Sequence, residues 1–158
     1  MKLIFFVCVL VAVVGTHSVP LQAQAAGVRD SRVPSPIGRW ETVDDVTGKV
    51  NSVVLIEEDK GTLRGIIVKL ISPDPKDPNP RCTQCVGEMR KKPLVGLRIL
   101  WGLSQSGDRW TGGQIVDPDN GKTYRCEIHV EDGGNKLKVR GYIGFSLFGR
   151  TEYWLRER

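Results

Sequence analysis

The chain has 158 residues, of which 40% are hydrophobic and 26% are charged, and its formal net charge at pH 7 is +5. This length suits one domain, whose core is large enough to need no structural metal. The basic residues are spread along the chain and not clustered, which favours solubility and argues against a nucleic-acid-binding protein.

The first 25 residues have the features of a cleavable secretory signal peptide. Lys2 precedes an almost unbroken apolar run over residues 3–14, and residues 23–25 form an Ala-Gln-Ala cleavage signature. The apolar run is shorter than the roughly 20 residues that span a membrane, so we expect export without a transmembrane anchor. Residues 26–36 are polar and contain prolines, which predicts a flexible leader before a single domain over residues 37–158.

Eight segments of that domain alternate between apolar and polar residues and are separated by turn signals, and no stretch shows a convincing helical period. The predicted strands cover residues 37–43, 50–58, 62–71, 94–103, 109–116, 122–131, 136–144 and 149–156. Residues 117–121, Asp-Pro-Asp-Asn-Gly, form a strong turn, since proline presets φ and Asn-Gly supplies positive φ. Only one connection, residues 72–93, is long.

This order of elements predicts an all-β fold. Eight strands joined mostly by short hairpins can hide their edges by closing into an antiparallel up-and-down barrel. The competing architecture is a two-sheet sandwich with crossover connections, and we favour the barrel because a single connection is long. An eight-stranded barrel is just wide enough to be filled by side chains or to hold one small ligand.

Alternation also assigns inward and outward faces to several strands. The side chains predicted to face inward are Val95, Leu97, Ile99, Trp101 and Leu103 in the fourth strand, Tyr124, Cys126, Ile128 and Val130 in the sixth, and Leu137, Val139, Gly141 and Ile143 in the seventh. Glycines within several strands predict bulges or sharp coiling, as a small barrel requires.

Three cysteines remain after removal of the signal peptide. Cys82 and Cys85 lie in the long connection, and export places them where disulfides persist, so we expect a local disulfide that pins this loop over the barrel mouth. Such a short closure stabilises the fold by only about 2 kcal/mol. Thiol redox chemistry is the weaker alternative, because no strand-and-helix setting lowers a thiol pKa here. Cys126 is expected to be a buried free thiol.

Residue types that often carry catalysis or bind metals have structural explanations in this chain. His129, the only histidine after residue 25, is predicted to face outward, and no Ser-His-Asp arrangement can be built around it. A zinc site that combined His129 with Cys126 and the loop cysteines conflicts with strand geometry, since residues three apart point to opposite faces. The Asp-Asp pair at residues 44–45 fits the cap of a hairpin turn. We therefore expect a protein that is not an enzyme and has no metal and no cofactor.

Gly38-x-Trp40 resembles the first strand of the lipocalins, in which a late-strand arginine packs over the indole, a role for Arg150 or Arg156. Further spaced motifs cover nearly the whole chain after residue 25. They include Cys82-x-x-Cys85, Ile99-Leu100-Trp101-Gly102-Leu103, Trp110-x-Gly112-Gly113 and Leu137-x-Val139-Arg140-Gly141-Tyr142-Ile143-Gly144. With these motifs the chain resembles the bacterial exported family called domain of unknown function 2147. The resemblance implies a secreted or periplasmic lipocalin-like barrel with a small-ligand role.

Inward-facing aromatic and aliphatic side chains are the candidate ligand-binding residues. They are Trp40, Leu97, Ile99, Trp101, Tyr124 and Ile143. Arg98 or Arg140 would hold an acidic head group if a bulge turned either inward. The first hypothesis is a non-enzymatic periplasmic binding protein, with the extracellular space as the alternative location, for a small apolar or amphiphilic ligand. The second is a solid barrel that docks a cell-envelope partner through the apolar turn at residues 145–148 or through the cysteine loop.

Overall fold

The computed structural model describes residues 33–44, 47–145 and 148–158 and shows a closed eight-stranded antiparallel barrel. The strands are β1 Gly38–Val43, β2 Val50–Asp59, β3 Thr62–Leu70, β4 Arg98–Ser106, β5 Arg109–Val116, β6 Thr123–Glu131, β7 Lys136–Tyr142 and β8 Gly149–Arg156. Each strand pairs with its neighbours in sequence, and β8 returns to β1. The predicted up-and-down barrel is confirmed, and the sandwich alternative is wrong.

The predicted signal peptide and residues 26–32 of the predicted leader lie outside the described residues. Among the described residues, single-turn 3-10 helices lie in the loops at Gly87–Met89 and Asp132–Gly134. In the part of the chain that the structure describes, no helix has the length and apolar character needed to cross a membrane.

One end of the barrel, which we call the leader end, is closed by Trp40 and Arg156. Trp40 is fully buried, and its indole N–H donates to the carbonyl of Pro36 at 2.8 Å. The guanidinium of Arg156 lies 4.1 Å from the centre of the Trp40 indole and donates to the carbonyls of Ser35 and Gly134. Of the two arginines predicted for this role, Arg156 therefore fills it. The stacked pair therefore connects the segment before β1 with the last strand, β8.

The glycine of the Gly-x-Trp motif makes room for that arginine. Gly38 has φ +134°, in the region that side chains rarely adopt, and a Cβ atom there would lie 2.7 Å from Nη1 of Arg156. Gly38, Trp40 and Arg156 thus form one structural unit, and the motif needs no ligand to explain it.

The half of the barrel next to the leader end is filled with side chains. Seven large residues are fully buried in this core: Trp40, Ile56, Leu100, Leu103, Ile128, Leu137 and Trp154. Strand register brings them together, since Leu137 pairs with Trp154 across β7 and β8, and Trp40 pairs with Val54 across β1 and β2. Complete burial of these side chains stabilises the domain by removing their apolar surface from water.

The fourth strand differs from the predicted alternation. Ile99 and Leu100 are both buried, and the β3–β4 register shifts on either side of Leu100, so two bulges interrupt the strand. Gly102 adopts φ +75° at the second bulge. As a result Trp101 turns to the outer face, where its indole N–H donates to Gln114 at 3.0 Å. The predicted inward positions of Trp101 and of the exposed Val95 are wrong.

The start of this strand is also later than predicted, at Arg98 instead of residue 94. Leu97 N–H donates to the carbonyl of Leu94 at 3.0 Å, and Gly96 between them has φ +94°. The apolar residues before Arg98 therefore form a turn that ends the long connection. An apolar turn cannot be distinguished from a strand by hydrophobicity alone.

Candidate functional site

A cavity of about 470 Å³ occupies the other end of the barrel, which we call the open end. Its floor consists of side chains just above the filled core: Ile67, Ile99, Ile115, Val139 and Trp154. Short β1–β2, β5–β6 and β7–β8 connections surround the opening. The barrel is thus packed below this cavity and open as a cup above it, and a second cavity of about 420 Å³ at the leader end is lined by residues 33–37 together with Leu63, Leu103 and Trp110.

The β5–β6 turn gives the rim a fixed shape. The Asp117 carboxylate accepts hydrogen bonds from the backbone N–H of Asp119 at 2.9 Å and from the side-chain amide of Asn120 at 2.7 Å. The same amide donates to the hydroxyl of Tyr124 at 3.1 Å. Asp44 plays a similar part in the β1–β2 turn, where it accepts from the backbone and hydroxyl of Thr47. The predicted role of residues 44 and 117 in turns is confirmed, and residue 45 lies outside the described residues.

Two charged side chains of β8 line the cavity wall. Glu152 pairs across the sheet with Val139, and its carboxylate accepts a hydrogen bond from the indole N–H of Trp154 at 3.3 Å. Arg150 lies nearer the rim and forms an ion pair with Glu152 at 3.7 Å. Both are absent from the sequence-based candidate residues. The alternation of β8 contains the signal, because Arg150 and Glu152 share a face with the large aromatic Trp154.

Two hydroxyls add neutral polar groups to the neighbouring wall, formed by β1 and β2. Thr42 and Ser52 face each other across β1 and β2, with their side-chain oxygens 2.8 Å apart. The Thr42 hydroxyl also accepts from the backbone N–H of Ser52 at 3.1 Å. Because these groups satisfy one another, they tolerate an apolar neighbour in the cavity without leaving an unpaired buried polar atom.

The lip of the cavity is apolar at the β7–β8 turn. Ile143 and Phe148 line the opening and are 64% and 76% exposed, and the adjacent Phe145 is 80% exposed. Residues 146 and 147 of the predicted apolar turn lie outside the described residues. A cluster of exposed large apolar side chains is typical of a surface that contacts a ligand, a lipid or another protein.

The six candidate ligand-binding residues fall into two groups. Ile99, Tyr124 and Ile143 line the cavity. Trp40 belongs to the filled core, and Leu97 and Trp101 are not among the described residues that border the cavity. Neither arginine proposed as an anion anchor turns inward. Arg98 lies 5.6 Å from the outward Trp101 ring, and Arg140 donates to Thr151 at 3.0 Å.

The long β3–β4 connection supports the rim from outside. Cys82 and Cys85 form the predicted disulfide, with sulfurs 1.96 Å apart, and both are buried. Cys82 Sγ lies 3.4 Å from the carbonyl oxygen of Pro118. A Cβ on Gly121 would lie 1.9 Å from the carbonyl oxygen of Gln84, so the loop and the β5–β6 turn are in close backbone contact. Residues 72–93 do not border the cavity. The loop is therefore a buttress, and its predicted position over the mouth is wrong.

The remaining thiol and the histidine lie on opposite sides of β6. Cys126 is fully buried, as predicted, and burial raises the pKa of its thiol to about 12, with nearby Glu127 and Glu152 adding to the effect. His129 lies on the outer face within 3.4 Å of Asp108 and 3.5 Å of Glu131. A thiol that stays protonated at neutral pH is a poor nucleophile, and Cys126 and His129 cannot act on one substrate.

Comparison with known proteins agrees with this architecture. A family model described as "Uncharacterized protein conserved in bacteria (DUF2147)" matches residues 38–156. The solved structure titled "Protein HP1028 from the human pathogen Helicobacter pylori belongs to the lipocalin family" superposes with a TM-score of 0.68 at 18% identity, over 80% of this chain and 85% of that chain. At this identity the likeness establishes a shared lipocalin-like fold. The chain has no match among curated proteins. Since the family match spans all eight strands, this chain belongs to the DUF2147 family.

Proposed function

We propose that this protein is a non-enzymatic binding protein that holds a small, largely apolar ligand in the open half of its barrel. The observation that carries the proposal is the cavity of about 470 Å³ above a filled core. Small-molecule sites in proteins are clefts of about 300–1,000 Å³ with mostly apolar walls and a few polar groups. The mixture of aliphatic floor and localised polar groups fits that description. The likeness to a lipocalin-family structure supports the same class of function as a fold-level analogy.

The proposed mechanism is burial of apolar ligand surface against the cavity floor. A ligand that removes about 200 Å² of its apolar surface from water gains about 5 kcal/mol before the costs of association. The part of the barrel below the cavity is already packed, so the cavity floor is preorganised and binding costs little conformational entropy. Thr42 and Ser52 on β1 and β2 and Glu152 on the adjacent β8 provide polar contacts that orient the ligand.

Export to the periplasm is part of the proposal and rests on the N-terminal sequence. The buried Cys82–Cys85 disulfide supports an oxidising compartment, since disulfides are rare where thiols are kept reduced. Fractionation of cells that express the full chain tests the location directly. Recovery of a chain that starts at residue 26 in the periplasmic or secreted fraction is expected, and an uncleaved cytoplasmic chain would overturn this part of the proposal.

Native mass spectrometry of the protein purified from its own compartment tests the binding function. We expect a stoichiometric small-molecule adduct that organic solvent releases. An apo mass that persists after incubation with a lipid extract would reject the carrier function. A cavity-blocking variant, Val139→Trp, places a large side chain on the cavity floor and should abolish the adduct, and its thermal midpoint checks that it is folded.

The exposed aromatic lip favours one further candidate, a barrel that docks a cell-envelope protein. Phe145 and Phe148 present large apolar surfaces to solvent at the open end. Replacement of both by serine distinguishes the two functions. Loss of a co-purifying protein with the small-molecule adduct retained would identify a docking surface, whereas loss of the adduct alone would make the lip part of the ligand site.

A further inference from the structure

Charged side chains around the cavity define a ligand class more narrowly than its apolar floor. Among the described residues that line the cavity, four are carboxylates and one is a guanidinium: Asp44, Asp117, Asp119, Glu152 and Arg150. This acidic lining occurs in a chain whose net charge is +5. We propose that the cavity selects an amphiphile with a positively charged head group and that Glu152 determines this selectivity. The inference rests on the proposed binding function and deepens it.

Glu152 is the carboxylate placed to contact the head group of a bound ligand, because it lies within the barrel wall and not in a turn. Its cross-strand neighbour is Val139, and Val139 and Trp154 both form the apolar floor. The indole N–H of Trp154 donates to one oxygen of the carboxylate at 3.3 Å, which fixes its orientation. About a third of the Glu152 side chain is accessible. A cation beside it therefore meets a fixed negative charge in surroundings less polar than water, where attraction is stronger.

Rim aspartates extend the negative potential along the entry path. Asp117 and Asp44 are each held by hydrogen bonds within their turns, at fixed positions around the opening. Charges of one sign around a cleft raise the local concentration of ligands of the opposite sign. An approaching cation is attracted at the rim first and at Glu152 afterwards.

Arg150 argues against an anionic ligand. It is 59% exposed near the rim and forms an ion pair with Glu152 at 3.7 Å. An anionic head group that reached Arg150 would compete with Glu152 for it and would be repelled by the same carboxylate. A cationic head group is attracted by Glu152 and can replace Arg150 beside it, because the displaced guanidinium can extend into water. Tyr124 and Tyr142 also line the cavity, and an aromatic face turned toward a bound cation would add cation–π attraction.

Three probes with the same ten-carbon chain isolate the effect of the head group. Decyltrimethylammonium, decyl maltoside and decyl sulfate are titrated into the protein below their micelle concentrations by isothermal titration calorimetry. We expect the cationic probe to bind at least about tenfold more tightly than the anionic probe. Glu152→Gln should weaken binding of the cationic probe by about tenfold and leave the neutral probe unchanged. Arg150→Gln should strengthen binding of the cationic probe.

The control variant is Glu41→Gln, which removes the same charge from the outer face, where Glu41 pairs with Val53 and Leu155. It should leave all three affinities unchanged, and the thermal midpoint of each variant checks that it is folded. If Glu152→Gln does not fold, Arg150→Gln still tests the selectivity. It should strengthen binding of the cationic probe and weaken binding of the anionic probe. Equal binding of the three probes, or tighter binding of decyl sulfate, would overturn the selectivity while the proposed binding function stood. Failure of all three probes to bind would overturn both the selectivity and the proposed binding function.

Discussion

Arg156 closes the leader end through several contacts at once. Its guanidinium stacks on Trp40 and donates to the carbonyls of Ser35, Ile37 and Gly134. Lysine cannot stack as a flat group or donate in three fixed directions. We expect Arg156→Lys to lower the free energy of unfolding by about 1–3 kcal/mol, measured by urea unfolding with tryptophan fluorescence.

Arg90→Lys is the matched control, because Arg90 is an exposed residue of the long loop. Its effect should stay within about 0.5 kcal/mol. If the two substitutions cost the same, the stacking of Arg156 on Trp40 does not contribute to stability.

Cys126 should be chemically silent in the folded protein. Its thiol is fully buried and its pKa is raised to about 12, so the thiolate fraction at pH 8 is roughly 10⁻⁴. In a Cys8→Ser chain, where Cys126 is the free thiol beside the Cys82–Cys85 disulfide, we expect negligible reaction with Ellman's reagent at pH 8. One thiol should react after unfolding in guanidinium. Rapid labelling of the native protein would show that this region of β6 opens to solvent.

At the scale of elements, alternation predicts faces well wherever a strand is regular. On β8 it places Arg150, Glu152 and Trp154 together, which is the arrangement found in the cavity wall. On β4 it fails, because the positive φ of Gly102 and the shift beside Leu100 depend on register against β3. A bulge depends on how two neighbouring strands pair, so the alternation along one strand does not predict it. Glu152 was therefore predictable from sequence, whereas the outward position of Trp101 was not.

The long β3–β4 connection should behave as a buttress that depends on its disulfide. In the Cys82→Ala, Cys85→Ala double variant we expect the barrel to fold, with the free energy of unfolding reduced by about 2 kcal/mol. Loss of the clamp should let the loop detach from the β5–β6 turn, since Cys82 contacts Pro118 there. Limited trypsin digestion followed by mass spectrometry should then show faster cleavage after Arg90 and Lys91.

Barrel strands in the same digest provide the internal control, because β6 and β7 also contain basic residues. Cleavage at Arg125 and Lys138 should remain slow in both proteins. Unchanged loop cleavage would show that backbone contacts around Gly121 hold the loop without the disulfide. Faster cleavage in β6 or β7 would show that the disulfide supports the barrel itself.

At the scale of the whole molecule, the division into a filled half and an open half could not be predicted from sequence. Strand order and closure follow from local turns and alternation, and both were predicted. Whether side chains fill the interior depends on how residues from all eight strands meet at one level of the barrel. Trp40, Leu100 and Leu103 meet toward the leader end and Trp154 lies between this core and the cavity, whereas aliphatic side chains, tyrosines and Gly141 line the open end. The filling of the interior depends on contacts between residues far apart in sequence, so no single segment of the sequence determines it.

Two strand glycines provide a direct test of that division. Neither Gly65 nor Gly141 has positive φ, so alanine fits the backbone at both positions. At Gly65, in the filled half, a Cβ would lie 3.1 Å from Leu100 Cβ and 3.2 Å from Val54 Cγ1, closer than ordinary contact. At Gly141, on the cavity wall, the nearest atoms would be 3.5 Å away on Tyr124 and 3.6 Å away on Ile115.

The same substitution should therefore have opposite effects in the two halves. We expect Gly65→Ala to lower the free energy of unfolding by about 1–3 kcal/mol, because a packed core has no room for an added methyl group. Gly141→Ala should raise it by about 0.4–1 kcal/mol, because alanine restricts the unfolded chain and its methyl group meets Tyr124 and Ile115 at ordinary contact distances. Urea unfolding of both variants measures the difference. If Gly141→Ala were as destabilising as Gly65→Ala, the open half would be packed in solution, and a barrel packed throughout would have no room for a ligand.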